Sequence, residues 1–229
     1  MLDDGVSPQT SVLPSLQVSN LREQALQALR EAIVMGGIAP GTHLAEVRLA
    51  SELGISRGTL REALRQLQQE GLAVTDGRGR LHVRSLDART IAGTFRVRAA
   101  LEALAARTVA DMPEEPRAKA LRQLDRALRT MRDAEEDDLP MLERLEADVE
   151  FHRTLCRVSD NEVLLQTWEQ LAGVLRMSIM HAGAQQAKLN TSADKHQEVI
   201  DVIADGPADL EARITAHILA VLGDFGVEG

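Results

Sequence analysis

The sequence predicts a mainly α-helical chain, in which a small unit of three helices and a β-hairpin precedes an all-helical bundle. Apolar residues recur at helical spacing along most of the chain, and this pattern gives way to two short strand-like runs only within residues 72–83. Aromatic residues make up 2% of the chain while Ala and Leu are frequent, which favours a helical bundle for the second part.

Length and composition favour two domains in a cytoplasmic protein. A chain of 229 residues accommodates two domains of about 100 to 150 residues each. Residues 1–18 are rich in Ser, Pro, Gln and Thr without a periodic pattern, so we expect a disordered arm there, followed by domains at 19–85 and 86–229. No apolar run reaches the roughly 18 residues that cross a bilayer, and no signal peptide is recognisable, so we expect no membrane partner.

The first domain contains start and stop signals for each predicted element. A helix from Leu21 ends at Gly36-Gly37, and Gly54 ends a second helix. Ser56 is placed to cap a third helix, which Gly71 ends. The glycine-rich run 76–80 then joins two short strands. The expected bounds after the first helix are 46–53 and 57–70 for helices and 72–75 and 81–83 for strands.

The second domain is predicted to be helical throughout. Asp87 is placed to cap its first helix, and the breaks fall at Pro113, Pro140, Asp160 and Gly206. The single cysteine, Cys156, lies in an apolar-patterned run, so we expect a buried, unreactive thiol. The expected helices are 91–110, 116–135, 140–158, 163–184, 193–204 and 208–225.

Charge is distributed unevenly between the two domains. The whole chain has a formal net charge of −9, but residues 20–85 contain nine Arg, no Lys and seven acidic residues, a balance of +2. Residues 86–229 carry −9. Arginine is the side chain best suited to phosphates and guanine edges, so the first domain is the candidate for nucleic-acid binding. The acidic second domain argues against a DNA-bending or nucleoid protein.

The third predicted helix has the pattern of a helix that reads DNA. One stripe is apolar, and arginines recur every four residues on a neighbouring stripe. Hydroxyls at its start add donors for phosphate, and the hairpin tip carries two arginines between glycines, as expected for a wing. The alternative is a solvated basic face. The candidate DNA-binding residues are Ser56, Arg57, Thr59, Arg61, Arg65, Arg78 and Arg80.

Four side chains of the second domain form a candidate metal site. Asp148 and His152 are four residues apart, so both project from one face of a helix. His196 and His217 lie on two later helices. Three imidazoles and a carboxylate suit a divalent metal, with zinc as first choice and nickel, cobalt, iron or manganese as alternatives. By spacing alone, an Asp and a His four residues apart more often form a surface ion pair than a metal site, so that alternative stays open for Asp148 and His152.

Residues 21–84 resemble the winged helix-turn-helix of GntR-type transcription regulators. The motifs that carry this resemblance are Pro40-Gly41, Leu49-Ala50, Gly54-Ile55-Ser56-Arg57 and Arg61-Glu62-Ala63-Leu64. Residues 90–222 resemble the FCD ligand-binding domain of the FadR-like subfamily, whose metal-binding members carry an Asp-x-x-x-His pair and two later histidines. The resemblance implies that Asp148, His152, His196 and His217 hold a metal.

The resemblance also implies a regulatory mechanism. A small organic acid would occupy open positions on the metal, with Arg98 on the first helix of the domain as its clamp and Arg176 as a weaker candidate. The alternative for Arg98 is an ion pair with Glu102, and His181 lies outside the motif. The implied protein is a homodimeric repressor that binds a near-palindromic, double-stranded operator. We expect no enzyme, because no His-Glu-x-x-His motif or placed general base accompanies the metal ligands.

Overall fold

The structure is a computed structural model that describes residues 19–181 and 192–225. The side chains of residues 19, 20, 181, 224 and 225 are not among those described. The arm expected at 1–18 and the end of the helix expected at 163–184 therefore lie outside the described residues. Within the described ranges the chain is mainly helical with a two-stranded wing, which confirms the predicted fold class.

The N-terminal unit consists of three helices and a hairpin. Helix α3 lies across α1 and packs against α2, and its apolar stripe of Leu60, Ala63, Leu64 and Leu67 is buried as predicted. Burial of this stripe leaves the opposite side of α3 facing solvent. The elements are α1 (Ser19–Val34), α2 (Glu46–Leu53), α3 (Arg57–Gln69), β1 (Ala73–Thr75) and β2 (Leu81–Val83).

The turn between α2 and α3 depends on two local features. Gly54 follows α2 with φ of 65°, a left-handed conformation that glycine adopts without steric cost. Ser56 then caps α3, because its hydroxyl accepts a hydrogen bond from the Thr59 backbone N–H at 3.1 Å. Gly54 therefore ends α2 and Ser56 caps α3, as the sequence predicted.

The wing is an antiparallel pair whose tip is organised by one carboxylate. β1 and β2 pair in the register Ala73↔Val83 and Thr75↔Leu81. At the tip, the Asp76 carboxylate accepts hydrogen bonds from the backbone N–H groups of Arg78 and Arg80, each at 2.9 Å. These bonds hold the pKa of Asp76 well below its usual range.

The C-terminal part is an all-α bundle built around its first helix. Asp87 caps α4 by accepting from the Thr90 backbone N–H at 2.7 Å, as predicted. Helix α4 packs against α6, α8, α9 and α10, and α5 lies along α6. Cys156 is buried, as expected, and burial raises the pKa of its thiol. The helices are α4 (Ala88–Ala110), α5 (Glu114–Glu136), α6 (Met141–Val158), α7 (Glu162–Glu169), α8 (Ala172–His181), α9 (Ala193–Asp205) and α10 (Leu210–Leu219).

The prediction of one continuous helix from residue 163 was wrong. The helix is interrupted between Glu169 and Ala172, giving α7 and α8. The backbone N–H of Gly173 donates to the Glu70 carbonyl of the N-terminal unit at 2.7 Å rather than to a carbonyl of its own helix. The helix is therefore broken where it meets Glu70, a residue that is distant in sequence and belongs to the N-terminal unit.

The end of the last helix also differs from the prediction. The α-helical part ends at Leu219, and Ala220–Phe225 continue as a tighter 3₁₀ helix. In the described part of the chain, no helix is both long and apolar enough to span a bilayer.

Candidate functional site

The three arginines of α3 lie together on its exposed side. The side chains of Arg57, Arg61 and Arg65 are 60%, 51% and 67% exposed, respectively. The hydroxyls of Ser56 and Thr59 lie 2.8 Å apart at the N-terminal end of the same helix. The structure thus brings the five predicted residues of α3 to one surface.

A carboxylate on α2 contacts two of these arginines. Glu46 Oε2 lies 2.8 Å from Arg61 Nε and 3.9 Å from Arg57 Nη2. Arg65 pairs with Glu62, one turn earlier on α3, at 2.5 Å. The two carboxylates therefore partly neutralise the basic surface in the free protein, a feature that the arginine spacing alone does not reveal.

The two arginines of the wing differ in their surroundings. The guanidinium of Arg80 is held at the tip by Asp76, at 2.9 Å. Arg78 is exposed, and no ion pair of its side chain is found among the described residues. The wing therefore projects Arg78 more freely than Arg80.

The three predicted histidines of the bundle form one cluster. One ring nitrogen from each of His152, His196 and His217 lies within 4.8 Å of the others. The Nε2 atoms of His152 and His196 are 2.9 Å apart. These side chains come from α6, α9 and α10, so the packing of three helices is needed to assemble the cluster.

The predicted carboxylate completes the cluster. Asp148 Oδ1 lies 3.1 Å from His196 Nε2 and 3.8 Å from His152 Nε2. Asp148 and both histidines are buried. The alternative of a surface ion pair between Asp148 and His152 is therefore excluded, because neither side chain reaches the surface.

A second carboxylate, on α4, orients His152. Glu102 is fully buried, and its Oε2 lies 2.6 Å from His152 Nδ1. Glu102 was considered in the sequence only as a partner of Arg98. A carboxylate on one imidazole nitrogen fixes the tautomer and leaves the other nitrogen free as a ligand, which is the common arrangement around metal-bound histidines.

The ionisation states around the cluster favour metal ligation. Burial alone would raise the pKa of Glu102, but the charge of Arg98 and the contact with His152 outweigh it and hold this pKa below its usual range. Burial lowers the pKa of His217 to about 3, and the neighbouring rings of His196 and His152 add to the shift. The His217 imidazole is therefore neutral at pH 7, the form that binds metals.

A cavity of about 440 Å³ opens beside the cluster. Its wall includes Asp148, His152 and His217, so three of the four candidate ligands face it. Cavities of a few hundred cubic ångströms are typical of sites for small molecules. The remaining charged lining residues are Arg98, Lys195, Glu198 and Arg213.

The two predicted effector-binding arginines are placed differently. Arg98 lines the cavity and also donates from Nε to Glu102 Oε1 at 2.6 Å, so the ion pair and the cavity position coexist. Arg176 is not among the residues lining the cavity, and it donates two hydrogen bonds to Glu146 at 2.7 and 2.8 Å. The side chain of His181 lies outside the described residues.

Sequence reasoning missed Lys195 and Arg213, which bring further positive charge to the cavity wall. Lys195 directly precedes His196 in α9, and Arg213 lies one turn before His217 in α10. For Arg213 the available signal was its spacing from His217, because residues four apart on a helix share a face. The position of Lys195 next to His196 gave no such signal.

The fold and the two sites define a class of protein: transcription regulators in which a winged helix-turn-helix is joined to a helical sensor domain. Residues 21–83 match the family of bacterial regulatory proteins of the gntR type, and residues 94–220 match the FCD domain. The chain therefore belongs to the GntR family and carries an FCD domain.

Individual relatives agree with this assignment. The chain is 29% identical to a "Probable D-xylose utilization operon transcriptional repressor" of Paenarthrobacter nicotinovorans, covering 88% of each chain. It is 31% identical to the Nta operon transcriptional regulator of Aminobacter aminovorans, over 78% of this chain and 82% of the relative. The solved structure of E. coli McbR/YncC has the same fold, with a TM-score of 0.65 at 19% identity, over 90% of this chain and 99% of that one.

These matches establish the general activity. The chain is a transcription regulator whose winged helix-turn-helix binds DNA, and its FCD domain indicates a small-molecule effector. Its relatives are transcription regulators and not enzymes, which confirms the prediction from the sequence that the chain is not an enzyme. The buried histidine cluster is compatible with metal binding.

Proposed function

We propose that the protein is a ligand-responsive repressor whose C-terminal domain binds a divalent metal and a small organic acid, and that the acid alters operator affinity. The observation that supports this most is the buried cluster of His152, His196 and His217 with Asp148, beside a cavity that also contains Arg98. A buried polar cluster of this kind is costly unless its members have partners, and a metal ion supplies one to each.

The donor set fits a borderline divalent ion. Three imidazole nitrogens and one carboxylate oxygen suit zinc best, with nickel, cobalt, iron and manganese as alternatives. Asp148, His152, His196 and His217 would hold the ion, with Glu102 orienting His152 from behind. When bound, the ion supplies positive charge and open coordination positions for oxygen atoms of an acid.

The cavity favours an anionic guest. Three of its lining residues, Arg98, Lys195 and Arg213, are cationic, and Glu198 is the one lining carboxylate besides Asp148. We propose Arg98 as the first clamp of a carboxylate. Arg176, which was also a candidate, has a local partner in Glu146, and we assign it no contact with the acid.

An operator-binding assay tests this function. A cognate site is selected from random double-stranded DNA, and affinity is measured with chelator-treated protein, zinc-loaded protein and a panel of small mono- and dicarboxylates. We expect at least one acid to change affinity by roughly fivefold or more, the lower end of allosteric couplings, only in zinc-loaded protein. No response to any of these acids in zinc-loaded protein would contradict an acidic effector.

The exposed side of α3 and the wing form the proposed DNA-binding surface. Arginine forks reach phosphates and guanine edges, and the capped start of α3 offers backbone N–H groups and hydroxyls to a phosphate. The wing reaches the neighbouring backbone or groove, with Arg78 the more available arginine because Asp76 holds Arg80. The contact residues are Ser56, Arg57, Thr59, Arg61, Arg65, Arg78 and Arg80.

We expect Glu46→Gln to strengthen operator binding by roughly threefold to tenfold, because DNA binding no longer has to break ion pairs that Glu46 forms with Arg61 and Arg57. The substitution keeps the shape of the side chain and removes one negative charge that would face phosphates. Fluorescence anisotropy with labelled operator at fixed salt measures the effect.

The matched control is Glu52→Gln, which removes a charge from the same helix. Glu52 pairs with Arg48 at 3.8 Å, and both side chains are more than half exposed. We expect its effect to be clearly smaller than that of Glu46→Gln. Equal gains from both variants would mean that bulk charge, and not release of Arg57 and Arg61, sets the affinity.

We propose that the protein is a homodimer paired through α4. Gly93, Val97, Ala100 and Leu104 recur at steps of four, three and four residues, and all are exposed. Val97 and Leu104 are 48% and 50% exposed, which is unusual for apolar side chains on one helical stripe. This spacing suits the seam between two helices, and its small residues allow close approach. A symmetric pair of winged units implies a near-palindromic operator.

Val97→Asp is expected to convert dimers into monomers at micromolar concentration, because each dimer would bury two like charges near its axis. Light scattering after gel filtration measures the molar mass. The control is Val163→Asp on α7, where the apolar side chain is 74% exposed but lies off the stripe; its mass should stay that of two chains. A dimeric Val97→Asp protein would place the interface elsewhere.

We propose that the two domains divide DNA binding from effector sensing. Residues 19–85 form the DNA-binding domain and 86–229 the sensor domain, with a function in the cytoplasm, where bacterial DNA is found. Repression is supported by the name of the Paenarthrobacter relative, which is a "Probable D-xylose utilization operon transcriptional repressor".

A further inference from the structure

Glu102 is the one carboxylate that contacts both the candidate metal ligand and the candidate effector clamp in the described part of the chain. Its Oε2 lies 2.6 Å from His152 Nδ1, and its Oε1 accepts from Arg98 Nε at 2.6 Å. Glu102 is fully buried in close-packed surroundings. A change in the position of His152 or Arg98 therefore also displaces the Glu102 carboxylate.

The same carboxylate has a third partner, Trp168. The indole N–H of Trp168 donates to Glu102 Oε1 at 2.7 Å, and the side chain is completely buried. A buried indole N–H normally has a hydrogen-bond partner. If Glu102 moves, the Trp168 ring therefore either moves with it or loses this hydrogen bond, at a cost in free energy. Trp168 lies near the end of α7, next to the interruption between α7 and α8.

That interruption touches the end of the DNA-reading helix. The Gly173 N–H donates to the carbonyl of Glu70, the C-cap of α3, at 2.7 Å. A Cβ at Gly173 would lie 2.2 Å from the same carbonyl oxygen, and one at Gly71 would lie 2.4 Å from the Gln170 carbonyl oxygen. The two backbones thus approach to a distance that only glycine permits.

The side chain of Glu70 is also fixed in place, by an ion pair with α1. Arg30 on α1 donates two hydrogen bonds to the Glu70 carboxylate, at 2.9 and 2.6 Å. The end of α3 is therefore clamped between α1 and the α7–α8 junction. A displacement of the α7–α8 junction therefore acts on the end of α3, because the Gly173–Glu70 backbone hydrogen bond joins the two and the bidentate Arg30–Glu70 ion pair ties this end to α1.

We propose that Glu102 and Trp168 couple the metal cluster to the recognition helix: His152 and Arg98 act on Glu102, Glu102 positions Trp168, and the following junction shifts the end of α3 through Gly173. This proposal rests on the proposed function, because it takes the metal as its input. Glu102 and Trp168 are positioning residues, since neither touches DNA. The coupling operates through the hydrogen bonds of Glu102, through the short run of chain from Trp168 to Gly173, where the Leu171 N–H donates to the Trp168 carbonyl at 2.9 Å, and through the hydrogen bond of Gly173 to Glu70.

The emission of Trp168 tests the first half on the unmodified protein. Trp168 is the only tryptophan in the chain, so its fluorescence reports this position alone. Full-length protein is stripped with chelator and titrated with zinc, while calorimetry follows binding independently. We expect the emission to change with the same midpoint as the calorimetric curve, and His196→Ala to give no change. Zinc binding without any change in emission would overturn the coupling.

Trp168→Phe tests the second half, since it keeps an aromatic ring at this position and removes the indole N–H. Hydrogen exchange of the amides in residues 66–72 is measured with and without zinc. In the unmodified protein we expect zinc to change the exchange by roughly fivefold or more; in Trp168→Phe zinc should still bind, but the change should fall below about twofold. The control is Thr167→Ala, because the Thr167 hydroxyl donates to the Val163 carbonyl within α7, at 2.7 Å.

The outcomes separate this inference from the function it rests on. A full zinc-dependent change in Trp168→Phe would overturn the role of the indole while leaving the metal site intact. Failure of the unmodified protein to take up zinc would overturn the proposed metal site and this coupling together. Should Trp168→Phe not fold, the emission titration on the unmodified protein still decides whether the cluster acts on Trp168.

Discussion

Replacing His196 with alanine is expected to lower zinc affinity by at least about 100-fold, because the side chain is a direct ligand in the proposed site and ligand losses exceed the tenfold to 100-fold cost of losing an outer partner. His196 is fully buried and links Asp148, at 3.1 Å, with His152, at 2.9 Å. Metal content after dialysis against zinc, measured by mass spectrometry, gives the result. The response of operator affinity to organic acids should be lost with the metal.

Binding of the metal-free variant to DNA should remain close to that of metal-free unmodified protein. The buried stripe of α3 packs against α1 and α2, so removing a ring from the bundle leaves the support of the α3 arginines intact. Circular dichroism checks that the variant is folded. The control is His43→Ala. His43 is an exposed histidine whose backbone forms an isolated β-bridge with His82 of the wing. Its loss should leave the zinc content unchanged. A folded His196→Ala protein without DNA binding would contradict the separation of the two roles.

Arg57→Ala and Arg61→Ala should each weaken operator binding by roughly fivefold to 100-fold, the range for losing one bidentate base contact or a close phosphate contact. Both side chains are more than half exposed and lie on the open side of α3. Their loss should not affect the fold, because the buried stripe of this helix is formed by other residues. Anisotropy titrations at several salt concentrations measure affinity and its salt dependence together.

The salt dependence separates two kinds of contact. A variant that loses a phosphate contact should lower the salt slope by about one, whereas one that loses a base contact should relax sequence preference instead. Arg129→Ala is the control, because Arg129 is an exposed arginine of α5 in the sensor domain. Affinity unchanged in both Arg57→Ala and Arg61→Ala would remove α3 from the DNA interface.

The DNA-reading unit was largely predictable because its signals are local. A cap at Ser56, a left-handed glycine at Gly54 and arginines four residues apart act within one or two turns of chain. Such short-range features depend little on the rest of the fold. The neutralising role of Glu46 was not predictable, since it depends on how α2 crosses α3.

The metal cluster was predictable only in its members. Asp148 and His152 share a helix face by spacing, but bringing His196 and His217 to them required the resemblance to a known domain. The structure places the ring nitrogens of the three histidines within 4.8 Å of one another. Three helices have to pack in one particular order for this to happen, and sequence spacing carries no such information.

By itself, the sequence determined the mainly helical fold, the winged reading unit and the residues able to ligate a metal, because helical periodicity, caps and charge are properties of short segments. Only the tertiary structure decided that Arg98 faces the cavity while Arg176 pairs with Glu146. It also decided that Glu102 contacts His152, and that the hydrogen bond of Gly173 to Glu70 accompanies a helix break between Glu169 and Ala172. Each of these depends on which buried group meets which partner, and burial makes every polar group require one.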